Sequence, residues 1–309
     1  MEVARRLDLK LGFACNNRCL FCAQGEKRTE CAARPPALLL SELRAARPDA
    51  TGVVLTGGEP TLYKKLLPLV RAARALGFSS VQLQTNGRLL AYRDVLAALV
   101  EAGVTEISPS LHGASAAVHD ELTRAPGSFA ETTRGIANAL EAGLPVVTNS
   151  VITRRNVELL DELVAYLAGL GVRNAQLAFV HPVGTALERF DEIVPRLSEL
   201  VEPLRRAERV ARERGLRLCT EAVPLCFLRG MQELAVEATI PLTTVSDLDG
   251  RLDYSEWRVR EGKVQGPPCQ ACSARERCEG PWREYPERYG WSEMLPFDAP
   301  RSGAGSPSR

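Results

Sequence analysis

Cys15, Cys19 and Cys22 stand in the run Cys-Asn-Asn-Arg-Cys-Leu-Phe-Cys, a C-x3-C-x2-C spacing near the start of a 309-residue chain. Thiolates are the usual protein ligands of iron–sulfur clusters. Three of them hold a 4Fe–4S cluster through three of its irons and leave the fourth iron open to a ligand that is not protein. An open iron is a place for chemistry. A second set, Cys269-Gln-Ala-Cys272-Ser-Ala-Arg-Glu-Arg-Cys278, has the spacing C-x2-C-x5-C, with Cys219 and Cys226 upstream. No cysteine lies between Cys31 and Cys219. In a cytosolic chain of this size, such clusters are metal ligands more often than disulfides.

Other groups must complete the first site. Thirty-five residues after Cys22 begins Gly57-Gly58-Glu59-Pro60. A glycine pair after a strand ordinarily marks a tight turn. Here it follows the second of six short apolar runs that read as strands: Leu7–Gly12, Gly52–Leu55, Ser80–Gln84, Glu106–Ser110, Pro145–Ile152 and Asn174–Phe179. Helix-length patterns lie between them at Leu62–Leu76, Arg88–Ala102, Phe129–Ala142 and Val157–Leu170, each followed at once by a glycine (Gly77, Gly103, Gly143, Gly171). Such glycines commonly end helices. Alternating strands and helices imply a parallel sheet with crossovers, either part-closed as a barrel or open and doubly wound. In both forms the cysteine loop and the glycine turn share the carboxyl end of the sheet, where parallel α/β folds bind ligands. The alternation fades after about residue 195. Leu197–Arg214 reads as a helix and Leu216–Cys219 as a possible strand, and the pattern is irregular from about Glu221.

Apolar residues make up 45% of the chain, enough for one large domain and a smaller appendage. The formal charge is +1. It gives no basic excess for nucleic acid and no acidic solvating tail. The first residues lack the apolar core of a signal peptide, and no stretch is apolar enough to span a membrane. A soluble, cytoplasmic protein is the expectation.

The motifs together resemble the radical S-adenosylmethionine (SAM) superfamily. The resemblance rests on Cys15, Cys19 and Cys22 with Phe21 among them, and on Gly57, Gly58, Glu59 and Pro60. It extends more loosely over residues 7–180, through Gln84-Thr85-Asn86-Gly87 and Ser110-Leu111-His112-Gly113. It implies a partial (β/α)6, TIM-like barrel with a small, irregular, cysteine-rich C-terminal domain. The implied divisions are a core at 1–195, a helix and auxiliary segment at 196–297, and a disordered tail at 298–309.

The implied cofactors are a SAM-binding 4Fe–4S cluster and SAM, with an external one-electron reductant. SAM chelates the open iron, and reductive cleavage gives a 5′-deoxyadenosyl radical that abstracts hydrogen from a substrate. The ammonium of SAM needs acceptors, which the carbonyls of Gly57 and Gly58 and the acid of Glu59 would supply. Phe21 would lie near the adenine. Thr85, Asn86 and Ser110 would approach the methionine carboxylate and the ribose. Asn149 and Ser150, polar residues in an apolar strand, are further candidates for such contacts.

The second cysteine set resembles the auxiliary-cluster segment of SPASM and twitch enzymes of that superfamily. Nothing beyond Cys278 continues the pattern, so one additional 4Fe–4S cluster is implied, of the twitch kind. Its ligands would be Cys269, Cys272, Cys278 and either Cys226 or Cys219. Cys226 is preferred because its apolar neighbours in Val-Pro-Leu-Cys-Phe would shield a cluster. Four thiolates also suit zinc, so the metal stays open. Trp282, Tyr285, Tyr289 and Trp291 follow this set, either as packing or as a cover for the cluster or substrate. His112 is either a loop histidine or one facing the ligand; His119 is read as structural.

The resemblance leaves the substrate open between a peptide or protein, the leading expectation, and a small molecule in cofactor or sugar chemistry. With the first strand at about residue 7, a leader-binding domain for a peptide would have to be a separate protein. The rival from another class is a non-catalytic iron–sulfur carrier. Such a carrier would close its cluster with a fourth thiolate and would have no use for Gly57–Pro60.

Overall fold

The computed structural model describes residues 5–297; the tail 298–309, expected to be disordered, lies outside the described residues. Six strands fall where the apolar runs place them: β1 Arg5–Lys10, β2 Gly52–Thr56, β3 Ser80–Thr85, β4 Glu106–Pro109, β5 Val147–Ile152 and β6 Asn174–Phe179. They are parallel and joined in chain order. β1 pairs with β2, β2 with β3 and β3 with β4. The isolated bridges Ile107–Val146 and Ser110–Asn149 carry the order on to β5, which pairs with β6. The result is the partial (β/α)6 barrel, not an open doubly wound sheet.

Two further parallel strands flank these six. β7, Arg217–Glu221, pairs with β6, and β8, Leu242–Asp247, pairs with β1. β9, Gly250–Asp253, folds back antiparallel on β8. The region expected to be irregular from Glu221 onward therefore supplies a hairpin to the core sheet. Its signal is Asp249-Gly250 after an alternating run, with Gly250 at φ +105°. Among the described residues no strand pairing joins β7 to β8.

The strand faces explain the lumen. Leu7 and Leu9 of β1, Val53 and Leu55 of β2, Val81 and Leu83 of β3, and Ala175 and Leu177 of β6 are fully buried in the core. Period-two alternation then turns the intervening residues to the inside. Val54 of β2 and Ala178 of β6 are apolar, but most of these are polar, Arg6, Asp8 and Lys10, Gln82 and Gln84, Asn174 and Gln176, with Cys219 and Glu221 of β7. They bond across strands, as Gln82 Nε2 does to Glu106 at 3.1 Å and Thr56 Oγ1 to Gln84 at 3.1 Å.

Helices Leu66–Ala75, Arg93–Ala102, Ser128–Glu141 and Leu160–Gly169 fill the expected places, with single 3-10 turns at Arg88–Ala91 and Val157–Leu159. A helix at Pro36–Ala46 between β1 and β2 was not foreseen. Its proline stands at the first helical position, where a missing N–H costs nothing, and Leu39, Leu43 and Ala46 form its buried face.

Candidate active site

The cysteine loop is fixed from three sides. Arg18 N and Leu20 N donate to the carbonyls of Thr123 and Leu122, at 2.8 and 2.9 Å, at the end of helix Ala116–Thr123. Thr185 N donates to Cys22 O at 3.0 Å, bringing the segment after β6 over the loop. Arg88, which the sequence reading missed, donates to Asn16 O at 2.6 Å and Asn17 Oδ1 at 3.0 Å, and its Nε bonds Glu131 at 2.5 Å. One guanidinium thus ties the loop to helix Ser128–Glu141.

The glycine turn docks on the same loop. Gly58 N donates to Gly12 O and Glu59 N to Ala14 O, both at 2.8 Å. A Cβ on Gly58 would fall 2.3 Å from Phe13 O, and one on Gly57 (φ +125°) would fall 2.2 Å from Gly12 O. Only glycine permits this approach. Both glycines therefore serve contact between the loops. Among the described residues no side chain donates to either glycine carbonyl, so both remain acceptors for a ligand.

Glu59 is buried and faces inward. Its Oε1 accepts from Thr61 N at 3.0 Å, Thr61 Oγ1 at 2.6 Å and Thr85 Oγ1 at 2.6 Å, and its Oε2 accepts from Asn86 N at 2.7 Å. Burial raises its pKa against the pull of these bonds. Glu59 braces the end of β2 against that of β3, leaving the glycine carbonyls as the open acceptors of this turn. Pro60 is buried and opens the 3-10 turn Pro60–Leu62. Thr85 Oγ1 also accepts from Gly87 N at 3.0 Å, so its proton and one of its lone pairs are engaged. Asn86 turns its amide to the cysteine loop, donating to Asn16 Oδ1 at 2.6 Å and standing 3.9 Å from Cys15 Sγ.

Ser110 N bonds Thr85 O at 3.0 Å, and its side chain is half-buried. The alternation of β5 separates the two candidates there. Ser150 points outward and donates to Leu111 O at 2.5 Å. Asn149 points inward, and its Oδ1 is buried without a partner. Phe21 is buried edge-on against His112, with ring centroids 4.8 Å apart. His112 Nδ1 accepts from Val151 N at 3.2 Å, and His119 Nδ1 accepts from His112 N at 3.0 Å. Burial lowers the pKa of both rings, to about 4 for His119, and keeps them neutral.

The donor set fits a cluster. Burial raises the Cys15 and Cys19 thiol pKa values, and at Cys19 the neighbouring thiols add to it. Such thiols ionise when a metal compensates the charge. Asn17 N, 3.4 Å from Cys15 Sγ, adds a donor to the sulfur. Among the described residues no three His, Cys, Asp or Glu side chains converge on one metal ion; cluster ligands instead bind separate irons.

At the other end of the chain, Cys226, Cys269, Cys272 and Cys278 line one recess, shielded by Leu225, Met294 and Phe297. Burial and the three neighbouring thiols push Cys226 up to about 12. Phe297 N donates to Cys272 Sγ at 3.3 Å. Cys219 lies elsewhere, in β7, with its Sγ 3.7 Å from Ala175 O.

The aromatic segment divides. Tyr285 and Tyr289 are packing residues, whose hydroxyls bond Leu197 N at 2.8 Å and Val194 O at 3.0 Å. Trp282 stacks on His181, just beyond β6, at 3.8 Å.

The family described as the Radical SAM superfamily matches residues 9–167, half of the chain. A probable GTP 3′,8-cyclase of Saccharolobus islandicus is 36% identical over 188 residues, 60% of this chain and 60% of that protein. A probable GTP 3′,8-cyclase of Sulfurisphaera tokodaii is 31% identical over 211 residues, 68% of this chain and 64% of that protein. The chain thus spans less than two thirds of the length of these relatives. Streptococcus suis SuiB bound to S-adenosylmethionine superposes with a TM-score of 0.67 at 19% identity, covering 96% of this chain and 76% of that one. Native anSMEcpe with bound AdoMet and Cp18Cys peptide gives 0.64 at 16% identity, covering 96% and 93%. At these identities the structures share the fold. Among the described residues no helix is long and apolar enough to cross a membrane.

Proposed function

The chain belongs to the radical SAM superfamily of enzymes, which use a 4Fe–4S cluster and SAM, and from that premise we propose that it acts on a small polar molecule held in the barrel lumen. Cys15, Cys19 and Cys22 would hold the cluster, which would supply the electron for reductive cleavage of SAM and so for hydrogen abstraction from the substrate. The protein's part is positioning and the exclusion of water. The carbonyls of Gly57 and Gly58 would accept from the ammonium of SAM. The unpaired Asn149 Oδ1, across the Ser110–Asn149 bridge, accepts from a hydroxyl or amine of the bound molecule. Asn86 and Arg88 hold the loop that carries the thiolates.

The polar inner faces of the strands carry the small-molecule reading. A lumen lined by Asp8, Gln82, Gln84, Gln176 and Glu221 suits a ligand with many hydrogen-bonding groups. The names of the relatives, GTP 3′,8-cyclases, support small-molecule chemistry over the leading expectation of a peptide or protein substrate.

Cys226, Cys269, Cys272 and Cys278 are proposed to hold the second cluster. Their side chains share one recess. The deciding experiment is anaerobic reconstitution, addition of SAM and dithionite, and measurement of 5′-deoxyadenosine. A fully loaded protein that releases none is the carrier, not the enzyme.

A further inference from the structure

Lys263 carries an ammonium almost out of reach of solvent, its side chain 1% exposed. A charge buried this far is costly unless it is paired. Its Nζ donates to Glu237 Oε1 at 3.0 Å and lies 2.9 Å from Glu279 Oε2. Arg258, also buried, donates to Glu279 Oε1 at 2.8 Å.

Each carboxylate serves a different cysteine segment. Glu237 Oε1 also accepts from Ala222 N at 2.7 Å. Ala222 is buried and has a φ of +62°, in the left-handed region that non-glycine residues rarely adopt and that its surroundings must hold. It stands four residues before Cys226, which is carried on the 3-10 turn Leu225–Phe227. Glu237 therefore fixes the bend that leads from β7 into the Cys226 turn. Glu279 follows Cys278 directly.

The backbone around Lys263 is clamped to the same region. Lys263 forms an antiparallel bridge with Trp282, flanked by Val264 N on Pro281 O at 3.0 Å and Arg283 N on Gly262 O at 2.9 Å. In the other direction Lys263 leads, through Gly266-Pro267-Pro268, to Cys269. Three stretches of chain, 222–226, 263–269 and 278–282, thus meet at one ammonium, and each delivers a thiol to the recess of Cys226, Cys269, Cys272 and Cys278.

We propose that Lys263 is a positioning residue for the second cluster: through Glu237 and Glu279 its ammonium sets the Cys226 segment against the Cys278 segment. The inference rests on the reading of the C-terminal recess as a cluster site. Without the ammonium, two carboxylates now held within 3.0 Å of one atom would face each other in a buried place. Their repulsion would drive the two segments apart.

The test is anaerobic reconstitution of the full chain, followed by iron and sulfide analysis, extraction of iron by a chelator, and the EPR spectrum of the dithionite-reduced protein with and without SAM. SAM binds the open iron of the first cluster, so the signal that it leaves unchanged reports the second. Lys263→Met is expected to retain about half of the wild-type iron, as Cys226→Ser does, and to keep the SAM-responsive signal. Glu237→Gln keeps an acceptor for Ala222 N and loses only the charge. It is expected to load both clusters, to release the second about tenfold faster to the chelator, and to change the line shape of the SAM-insensitive signal. A merely structural role would lower the melting temperature and leave that line shape and rate as in wild type. The Glu237→Gln measurements decide the matter if Lys263→Met does not fold. Full iron in Lys263→Met, unchanged extraction and line shape in Glu237→Gln, or equal loss of both clusters in either variant each overturns the proposal. The wild type separates the two levels. Iron for one cluster only, with none lost on Cys226→Ser, defeats the reading of the recess as a cluster site. Two clusters in both wild type and Lys263→Met defeat only the role of Lys263.

Discussion

Gly58→Ala adds one methyl group where two loops meet. The new Cβ would stand 2.3 Å from Phe13 O and 2.4 Å from Ala14 O, both backbone atoms. A tolerable contact is about 3.0 Å or more, so the loops must part by about 0.7 Å. The bonds Gly58 N to Gly12 O and Glu59 N to Ala14 O, now 2.8 Å, would stretch to about 3.5 Å and cease to be useful. Each lost bond costs about 1 kcal/mol, and the overpacking about 1–3 kcal/mol more. The expected destabilisation is about 3–5 kcal/mol, a fall in melting temperature of about 5–10 °C. The function should suffer more than the fold, because the parted segment leads directly into Cys15. Iron and sulfide per chain after anaerobic reconstitution, beside a thermal melt, are the assay. A Gly58→Ala protein that melts within about 1 °C of wild type and loads a full complement of iron refutes the argument that glycine is required by this contact.

Cys226→Ser should remove about half of the bound iron, while Cys219→Ser should leave the iron unchanged, because only Cys226 shares the recess of Cys269, Cys272 and Cys278; iron and sulfide analysis of both variants checks this. His119 offers a test in pH. Its folded pKa, about 4, lies below the unfolded 6.5, so its contribution is complete above pH 6.5 and is lost as pH falls towards 4. The full swing is about 3 kcal/mol, and about 2 kcal/mol of it falls above pH 5. His119→Asn keeps an acceptor for His112 N and cannot titrate there, so urea melts should show it losing about 2 kcal/mol less than wild type between pH 7 and pH 5. Equal losses in the two proteins would remove the buried neutral ring as the cause.

Local pattern was enough for the barrel's first six strands and most of its helices. Each strand there is a compact apolar run and each helix carries its own periodic face, so no distant residue is needed to read them. β8 escaped notice because its partner, β1, is more than two hundred residues away. The same limit applied to side chains. The sequence offered Asn149 and Ser150 as equals, and the pleat of β5 turned one into the lumen and the other onto Leu111. Arg88 gave no signal beyond following Asn86-Gly87, since its value lies in reaching Asn16, Asn17 and Glu131 at once.

The sequence by itself determined the chemistry. Three thiolates at C-x3-C-x2-C and a glycine turn after the next strand are covalent facts of the chain, and spacing along one loop survives any packing. Tertiary structure alone decided the division of labour: that Glu59 braces two strands, and that Cys226 and not Cys219 lines one recess with the C-terminal thiols. Those assignments depend on distances between segments remote in sequence, which are set when the hydrophobic faces of strands and helices close on one another.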